Sequence, residues 1–286
     1  MVIASIIISF GGLLMRNITT ADPWQIVFYR AVGFTFAILV LLLIKNKKLI
    51  LINTRKIGFP GFLAGVFHAI ANILFIHALA NTSVANSLFT LSSIPFITAI
   101  LAFLFLKEKL SQSTFIIMLF AFLGIAIMVK GGLVYGGLLG NILSLLTAIS
   151  FSIFTILLRK YRKIDMFPTL LVTGLLLIFF SFFININNFY IPLKDLVLCL
   201  FWGAIMSGFV NAIFIFCTRY LLASEVTFFM LLEFALGPFW VWIFINEKIS
   251  FETFFGGLIV MVSVAIYSLI ETIIAKKNKE NLKKFN

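Results

Sequence analysis

Glu233 lies about ten residues inside an apolar stretch running from 224 to 245, and it is the one carboxylate that falls near the middle of such a stretch. An ionisable side chain buried among apolar neighbours is costly, so it is either bonded to a partner or functional. Two functions fit a carboxylate there. It can meet a cationic group of a solute, or it can take up and release a proton in a coupling step. The structural alternative is a fixed bond to a neighbour such as Arg30. Arg30 itself sits about six residues into the stretch 24 to 44, where its long stem can carry the guanidinium out to a polar interface or hold it inside against an anionic group.

Amides and hydroxyls recur in the same setting. His68 and Asn72 are four residues apart and share one face of a helix, whereas His77 lies about 900° round from His68 and hence on the opposite face. The two histidines cannot ligate one metal, and with no Asp inside any apolar stretch no metal centre and no other cofactor is expected. Ser83, Asn86, Ser87, Thr90 and Ser93 follow at three- and four-residue intervals before Pro95, as one polar stripe. Such a stripe is either the wall of a polar cavity or a seam of hydrogen bonds between close-packed helices. Ser207 and Asn211 share a face in the same way. The amides of Asn72 and Asn211 could close a solute site from two sides, or each could bond a neighbouring backbone. Trp240 and Trp242 are the tryptophans placed to line a cavity, while most of the 36 Phe are expected to face lipid.

The elements that must carry these residues follow from composition. Of 286 residues 62% are hydrophobic, and the mean hydropathy is +1.17, beyond what a soluble domain of this size keeps in solution. A bilayer-spanning helix needs about 20 mainly apolar residues. Ten candidate spans can be read, at 1 to 16, 24 to 44, 58 to 79, 84 to 106, 113 to 130, 135 to 158, 167 to 184, 195 to 218, 224 to 245 and 252 to 274. The fold class expected is an all-α integral membrane protein. No cleavable signal peptide is expected, because Arg16 and further spans follow the first stretch. That stretch is only about 16 residues from Met1, short for a span, as a natural start upstream of Met1 would leave it. Cys199 and Cys217, 18 residues apart in one span, lie about 27 Å from each other on a helix and cannot pair.

The net charge of +12 is not a nucleic-acid signal, because its placement has another cause. With the N-terminus in the cytoplasm, 17 of the 22 basic residues fall in inward-facing segments, among them the clusters around Lys47, Arg162 and Lys277. This bias sets orientation and puts both termini in the cytoplasm.

The two halves repeat one another at an offset of 139 residues. Asn72 recurs at Asn211, Glu108-Lys109 at Glu247-Lys248, Ser111 at Ser250 and Thr114-Phe115 at Thr253-Phe254. The Glu-Lys pairs are expected to be loop and cap elements. Five spans per half is an odd number, so the second copy is inverted in the bilayer relative to the first. Inverted repeats are the architecture of secondary transporters, with the solute site between the halves near the midplane. The units expected are 1–131, 132–275 and a basic cytoplasmic tail, 276–286.

Ser9-Phe10-Gly11-Gly12, Ala21-Asp22-Pro23-Trp24 leading to Phe28-Tyr29-Arg30, Leu106 through Ser111, and Leu232-Glu233 through Trp242 together resemble the EamA family of the drug/metabolite transporter superfamily. The likeness extends over nearly the whole chain as two repeats. It implies a ten-helix carrier with both termini inside and a cavity lined chiefly by spans 3, 4, 8 and 9. Pro95 and Phe234 are equivalent repeat positions, so the proline break of span 4 is expected to shift to Pro238 in span 9.

The site residues expected to bind solute are Arg30, His68, Asn72, Ser87, Thr90, Ser93, Ser207, Asn211, Glu233 and Trp240, with Glu233 as the coupling residue. The function implied is a carrier in the bacterial inner membrane that moves amino acids or related small metabolites, as an exporter, by alternating access. Its partners are a small solute, the lipid bilayer and, in a coupled cycle, protons. The alternatives are an exchanger of nucleotide-linked metabolites such as S-adenosylmethionine, and an intramembrane transferase. The enzyme is disfavoured because the spans offer no acid/base pair. If the orientation is right, single cysteines placed beside Lys47, Arg162 and Lys277 should escape an impermeant thiol reagent added to intact cells. Labelling at any of the three would reverse the topology.

Overall fold

The computed structural model describes residues 1–45, 56–82, 84–108, 111–130, 138–186, 188–245 and 251–284. Among them the chain is helical, in the order α1 (Val2–Ile8), α2 (Gly11–Asn17), α3 (Pro23–Lys45), α4 (Gly58–Asn81), α5 (Val84–Leu91), α6 (Ile94–Leu106), α7 (Gln112–Lys130), α8 (Leu138–Lys160), α9 (Thr169–Ile184), α10 (Leu193–Phe201), a π-helix (Trp202–Phe209), α11 (Val210–Cys217), α12 (Ala223–Phe228), α13 (Leu231–Ile245) and α14 (Phe251–Lys284). Each expected span is helical over most of its described residues. Five segments are long and apolar enough to cross a bilayer (23–44, 58–81, 138–160, 193–217 and 223–244), and five shorter apolar helices accompany them. This is an all-α membrane protein. The loop around Lys47 lies outside the described residues, as do Lys109, Glu247 and Lys248.

The two halves do not form separate bodies. α4 packs along α8, α3 against the π-helix and α9, α6 against α8 and α12, and α7 along α14. All six of these packings join a helix of the first half to one of the second, so the cores are shared: Phe34 and Ile38 of α3 cluster with Phe154, Leu170 and Phe214. Whatever space remains at the centre is therefore walled by both halves.

Three of the expected spans are broken, the first of them between α1 and α2 at Ser9-Phe10. α5 ends at Leu91 and α6 starts at Ile94; at the junction the Ser93 hydroxyl donates to the Thr90 carbonyl (2.6 Å), and Pro95 fits the first turn of α6, where no backbone N–H is needed. The corresponding break between α12 and α13 falls at Phe229-Met230, not at Pro238, which lies within the continuous helix α13. The cause is local hydroxyl chemistry. Thr227 Oγ1 donates to the carbonyls of Ser224 (2.9 Å) and Ala223 (3.2 Å), and the backbone then tightens to three-residue bonds from Met230 N to Thr227 O and from Glu233 N to Met230 O. Glu233 thereby sits in the first turn of α13.

Backbone contact between α3 and the segment that crosses it sets the rest of the centre. A Cβ at Gly203 would overlap the Arg30 carbonyl oxygen, and one at Gly33 the Leu200 carbonyl. These glycines let the two backbones touch where any larger residue would hold them apart.

Polar rims close the two ends of the bundle. At the start of α10, Asp195 accepts from Thr20 N (2.9 Å), Thr20 Oγ1 (2.6 Å) and Ala21 N (3.2 Å). Beyond the end of α11, Arg159 bonds Glu108 (2.6 Å) and the carbonyls of Thr218 and Arg219, while Glu108 also accepts from Ala223 N at the head of α12. Glu108 is thus a loop and cap element, as expected. Cys199 and Cys217 are both free thiols. Gly203→Val should lower the unfolding temperature of the detergent-solubilised protein through a loss of roughly 1–3 kcal/mol, the usual penalty of overpacking. A surface control such as Leu175→Val should leave it unchanged.

Candidate functional site

A cavity of about 90 Å³ lies where the broken helices, α3, α4, α8 and the π-helix converge. Its polar lining consists of Ser5, Arg30, His68, Asn72, Thr147, Ser207, Asn211 and Glu233, drawn from both halves of the chain. The remaining wall is apolar, with Phe75, Phe151, Phe214 and Phe234 among its residues.

Arg30 points inward and does not snorkel. It is 9% exposed, its Nε and one Nη donate to Ser207 Oγ (3.2 and 3.1 Å), and the same Nη donates to Asn72 Oδ1 (3.1 Å). The guanidinium carbon lies 4.6 Å from the ring centre of Trp202 and 5.9 Å from that of Phe75. Neutral acceptors and ring faces thus hold a cation with no carboxylate in contact.

Asn72 and Asn211 make the same local bond. Asn72 Nδ2 donates to the carbonyl of His68 (2.9 Å), and Asn211 Nδ2 to that of Ser207 (2.8 Å), each four residues earlier. His68 and Ser207 are themselves 139 residues apart, so the likeness extends to both members of each pair. The amide oxygen of Asn72 then holds Arg30. His68 is fixed by Thr173 Oγ1 (3.3 Å) and by stacking on Phe154 at 4.2 Å. His77 lies elsewhere, edge-on to Trp24.

Glu233 faces the same cavity from α13. Among the described residues its carboxylate has neither a hydrogen-bond donor nor an ion-pair partner, so the fixed bond to Arg30 is not formed. Its support is the positive end of α13, whose first-turn position favours negative charge.

Residues 1–130 match the model of the EamA-like transporter family. The matched segment is just under half of the chain, and over it the chain is similar to that family. The chain is also 29% identical, over 143 residues, to solute carrier family 35 member G1 of Mus musculus. That match covers 47% of this chain and 36% of the relative, so the chain spans about a third of the length of the curated relative it matches. A crystal structure described only as that of a protein superposes with a TM-score of 0.77 over 95% of this chain and 96% of the other. At 12% identity that likeness shows a shared fold.

Within the EamA segment, Arg30, His68 and Asn72 reach the cavity, and the α5 stripe does not. Ser87 is buried against Ser144 of α8 (2.9 Å), Thr98 against Ser152 (3.0 Å), and Ser93 bonds back to Thr90, so the hydroxyls here serve helix contacts and the helix break. Thr90 is likewise outside the lining. The side chains of Ser83 and Asn86 lie outside the described residues. Trp240 stacks on Phe10 at 4.3 Å and donates to Ser9 Oγ (2.6 Å), tying α13 to the α1–α2 corner, and Trp242 is exposed.

The tryptophan at the site is Trp202, not Trp240 or Trp242. On an α-helix, residues five apart point about 140° away from each other. The i→i+5 winding of the π-helix brings Trp202 and Ser207 to the same side, both onto Arg30. No hydropathy pattern signals that winding. The cavity phenylalanines were likewise hidden among those expected in lipid. Asn72→Leu should cost roughly 1.5–3 kcal/mol by removing an acceptor of a buried charged group, read as a lower unfolding temperature in detergent. Asn72→Asp, which keeps an acceptor, should recover most of it.

Proposed function

We propose that this protein is a carrier of small solutes that works by alternating access, with the central cavity as its solute site. One observation carries the reading: a buried arginine and a carboxylate with no partner among the described residues face one cavity that both halves of the chain enclose. Intramembrane ionisable groups mark solute and ion pathways, and broken helices whose ends face a central cavity are the way transporters expose polar groups there. The family favours a carrier over the transferase alternative.

The finer reading has all ten helices crossing the bacterial inner membrane, with both termini in the cytoplasm. Residues 1–131 and 132–275 are then inverted repeats, followed by a basic cytoplasmic tail at 276–286. The matched bonds of Asn72 and Asn211 at one offset support the repeat. The solutes are amino acids or related small metabolites, moved outward. Arg30, His68, Asn72, Ser207 and Asn211 hold the solute. Glu233 either meets its cationic group or carries a coupling proton, and that is the role on which transport depends.

A thermal-shift screen of amino acids and metabolites, S-adenosylmethionine included, on purified protein identifies a solute, since a binder of the folded state raises its apparent stability. In proteoliposomes loaded with that solute, Glu233→Gln should slow transport at least ten-fold and flatten its pH dependence while the yield of folded protein is kept. A variant that fails to fold would make Glu233 structural. Unchanged transport and stability would leave it with no role.

A further inference from the structure

Glu108 reaches from just beyond α6 to the head of α12. One of its carboxylate oxygens accepts from Arg159 Nε (2.6 Å), and the other accepts from the backbone N–H of Ala223 (3.3 Å), the first residue of α12. The chain is bent to put it there. Among the described residues, glycines aside, Lys107 alone has a positive φ (57°), the left-handed backbone that an L side chain disfavours. Glu108 N closes that turn on the Ala102 carbonyl (3.3 Å), as at a helix end of the Schellman kind. A disfavoured backbone held beside a charged group points to a placement that the surrounding structure enforces. Arg159, which also donates to the Thr218 and Arg219 carbonyls (3.1 and 3.2 Å) ahead of α12, anchors this clasp to α8.

α6 and α12 pack on one another and run opposite ways. α6 leads out from Ile94 in the cavity wall, and α12 leads back in from Ala223, with Ala102 and Ala223 clustered on Ile156. α12 is six residues long, about 9 Å, and every one of the six is buried. At its inner end the bonds from Met230 N to Thr227 O (3.1 Å) and from Glu233 N to Met230 O (2.9 Å) tie it to the first turn of α13. It is thus a short rod with Glu108 at one end and Glu233 at the other. A rod packed on all sides passes a displacement along its length, because a close-packed interior hardly compresses.

We propose that Glu108 is a positioning residue for Glu233: its hold on the head of α12 fixes the rod and keeps the Glu233 carboxylate inside the enclosed cavity, and release of that hold opens the carboxylate to water. The link concerns the placement of Glu233 and holds whether or not the cavity carries a solute.

Reaction of Glu233 with a water-soluble carbodiimide and a primary amine, read by mass spectrometry of the peptide that carries it, measures how far water reaches the carboxylate. Two variants of the purified full-length protein release the clasp by different routes. In Glu108→Gln the one amide oxygen, taken by Arg159, leaves the NH2 group facing the Ala223 N–H, donor against donor. Ala223→Pro deletes that N–H and keeps the ion pair; the first helical position accepts proline, and Leu222 already has the extended backbone that a residue before proline adopts. Each variant should label Glu233 faster by roughly five-fold or more, as a local opening would allow. Asp165→Asn, which breaks the Arg219–Asp165 pair (2.7 Å) at the same end of the bundle, should leave the rate unchanged.

An unchanged rate in Ala223→Pro overturns the proposal, and so does an equal rise in Asp165→Asn, the sign of a generally loosened end. If Ala223→Pro does not fold, a rate in Glu108→Gln no higher than in Asp165→Asn overturns it instead. If labelling is alike in all the proteins while proteoliposomes of the natural one exchange a solute, the positioning role falls and the carrier stands. If both clasp variants label faster and the natural protein exchanges nothing, the carrier falls and the positioning role stands.

Discussion

A guanidinium buried in an apolar bundle is the constraint around which this centre is arranged. Removing such an ion from water is costly, and a carboxylate in contact would be the simplest remedy. Here Arg30 instead rests on Ser207, Asn72 and the Trp202 ring, none of which cancels its charge. Each of those partners arrives by a separate structural device. Ser207 and Trp202 need the π winding to face the same way, the π-helix needs Gly203 to reach the α3 backbone, and Asn72 needs its bond to the His68 carbonyl to turn its oxygen inward. The charge, the unusual helix and the glycine contact are therefore one arrangement.

Glu233 is placed by an independent feature, the break between α12 and α13. Without it the carboxylate would lie in mid-helix, where all neighbouring backbone N–H groups are bonded. With the break it occupies a helix's first turn, where the helix dipole favours its charge. The equivalent first turn of α6 carries Ile94, which lines the same cavity without charge. One half supplies the cation and its amide holder, and the other supplies the carboxylate.

Sequence alone went far where the signal was energetic. Charged and amide residues in apolar stretches are costly without a purpose, and Arg30, His68, Asn72, Ser207, Asn211 and Glu233 all came to one cavity. It went less far where the deciding factor was backbone geometry. Pro238 was the obvious breaker of its span, yet Thr227, by bonding the carbonyls behind it, ends α12 well before the proline. The stripe Ser87, Thr90, Ser93 has one periodicity whether it faces a cavity or a helix, and only the approach of α8, carrying Ser144 and Ser152, decides between them. Phenylalanines are worse still, since a ring facing lipid and a ring facing a cavity give the same hydropathy.

The polar rims complete the logic of an enclosed site. Both bind elements of one half to the other: Thr20 and Ala21 to Asp195 at one end, Glu108 to Arg159 and Ala223 at the other. For a carrier of the kind proposed, access from one side requires the rim on that side to part while the other holds. The Glu108–Arg159 contact is short, charged and largely shielded from water, and Arg159 is also bonded to two carbonyls beyond α11. Parting it would strand a charge unless water enters at the same moment. Opening at that end is therefore coupled to hydration, and the Asp195 rim, built from a carboxylate on backbone N–H groups of one short turn, has the same property. In a carrier of that kind, a cavity between two such rims exchanges solute by wetting one end at a time.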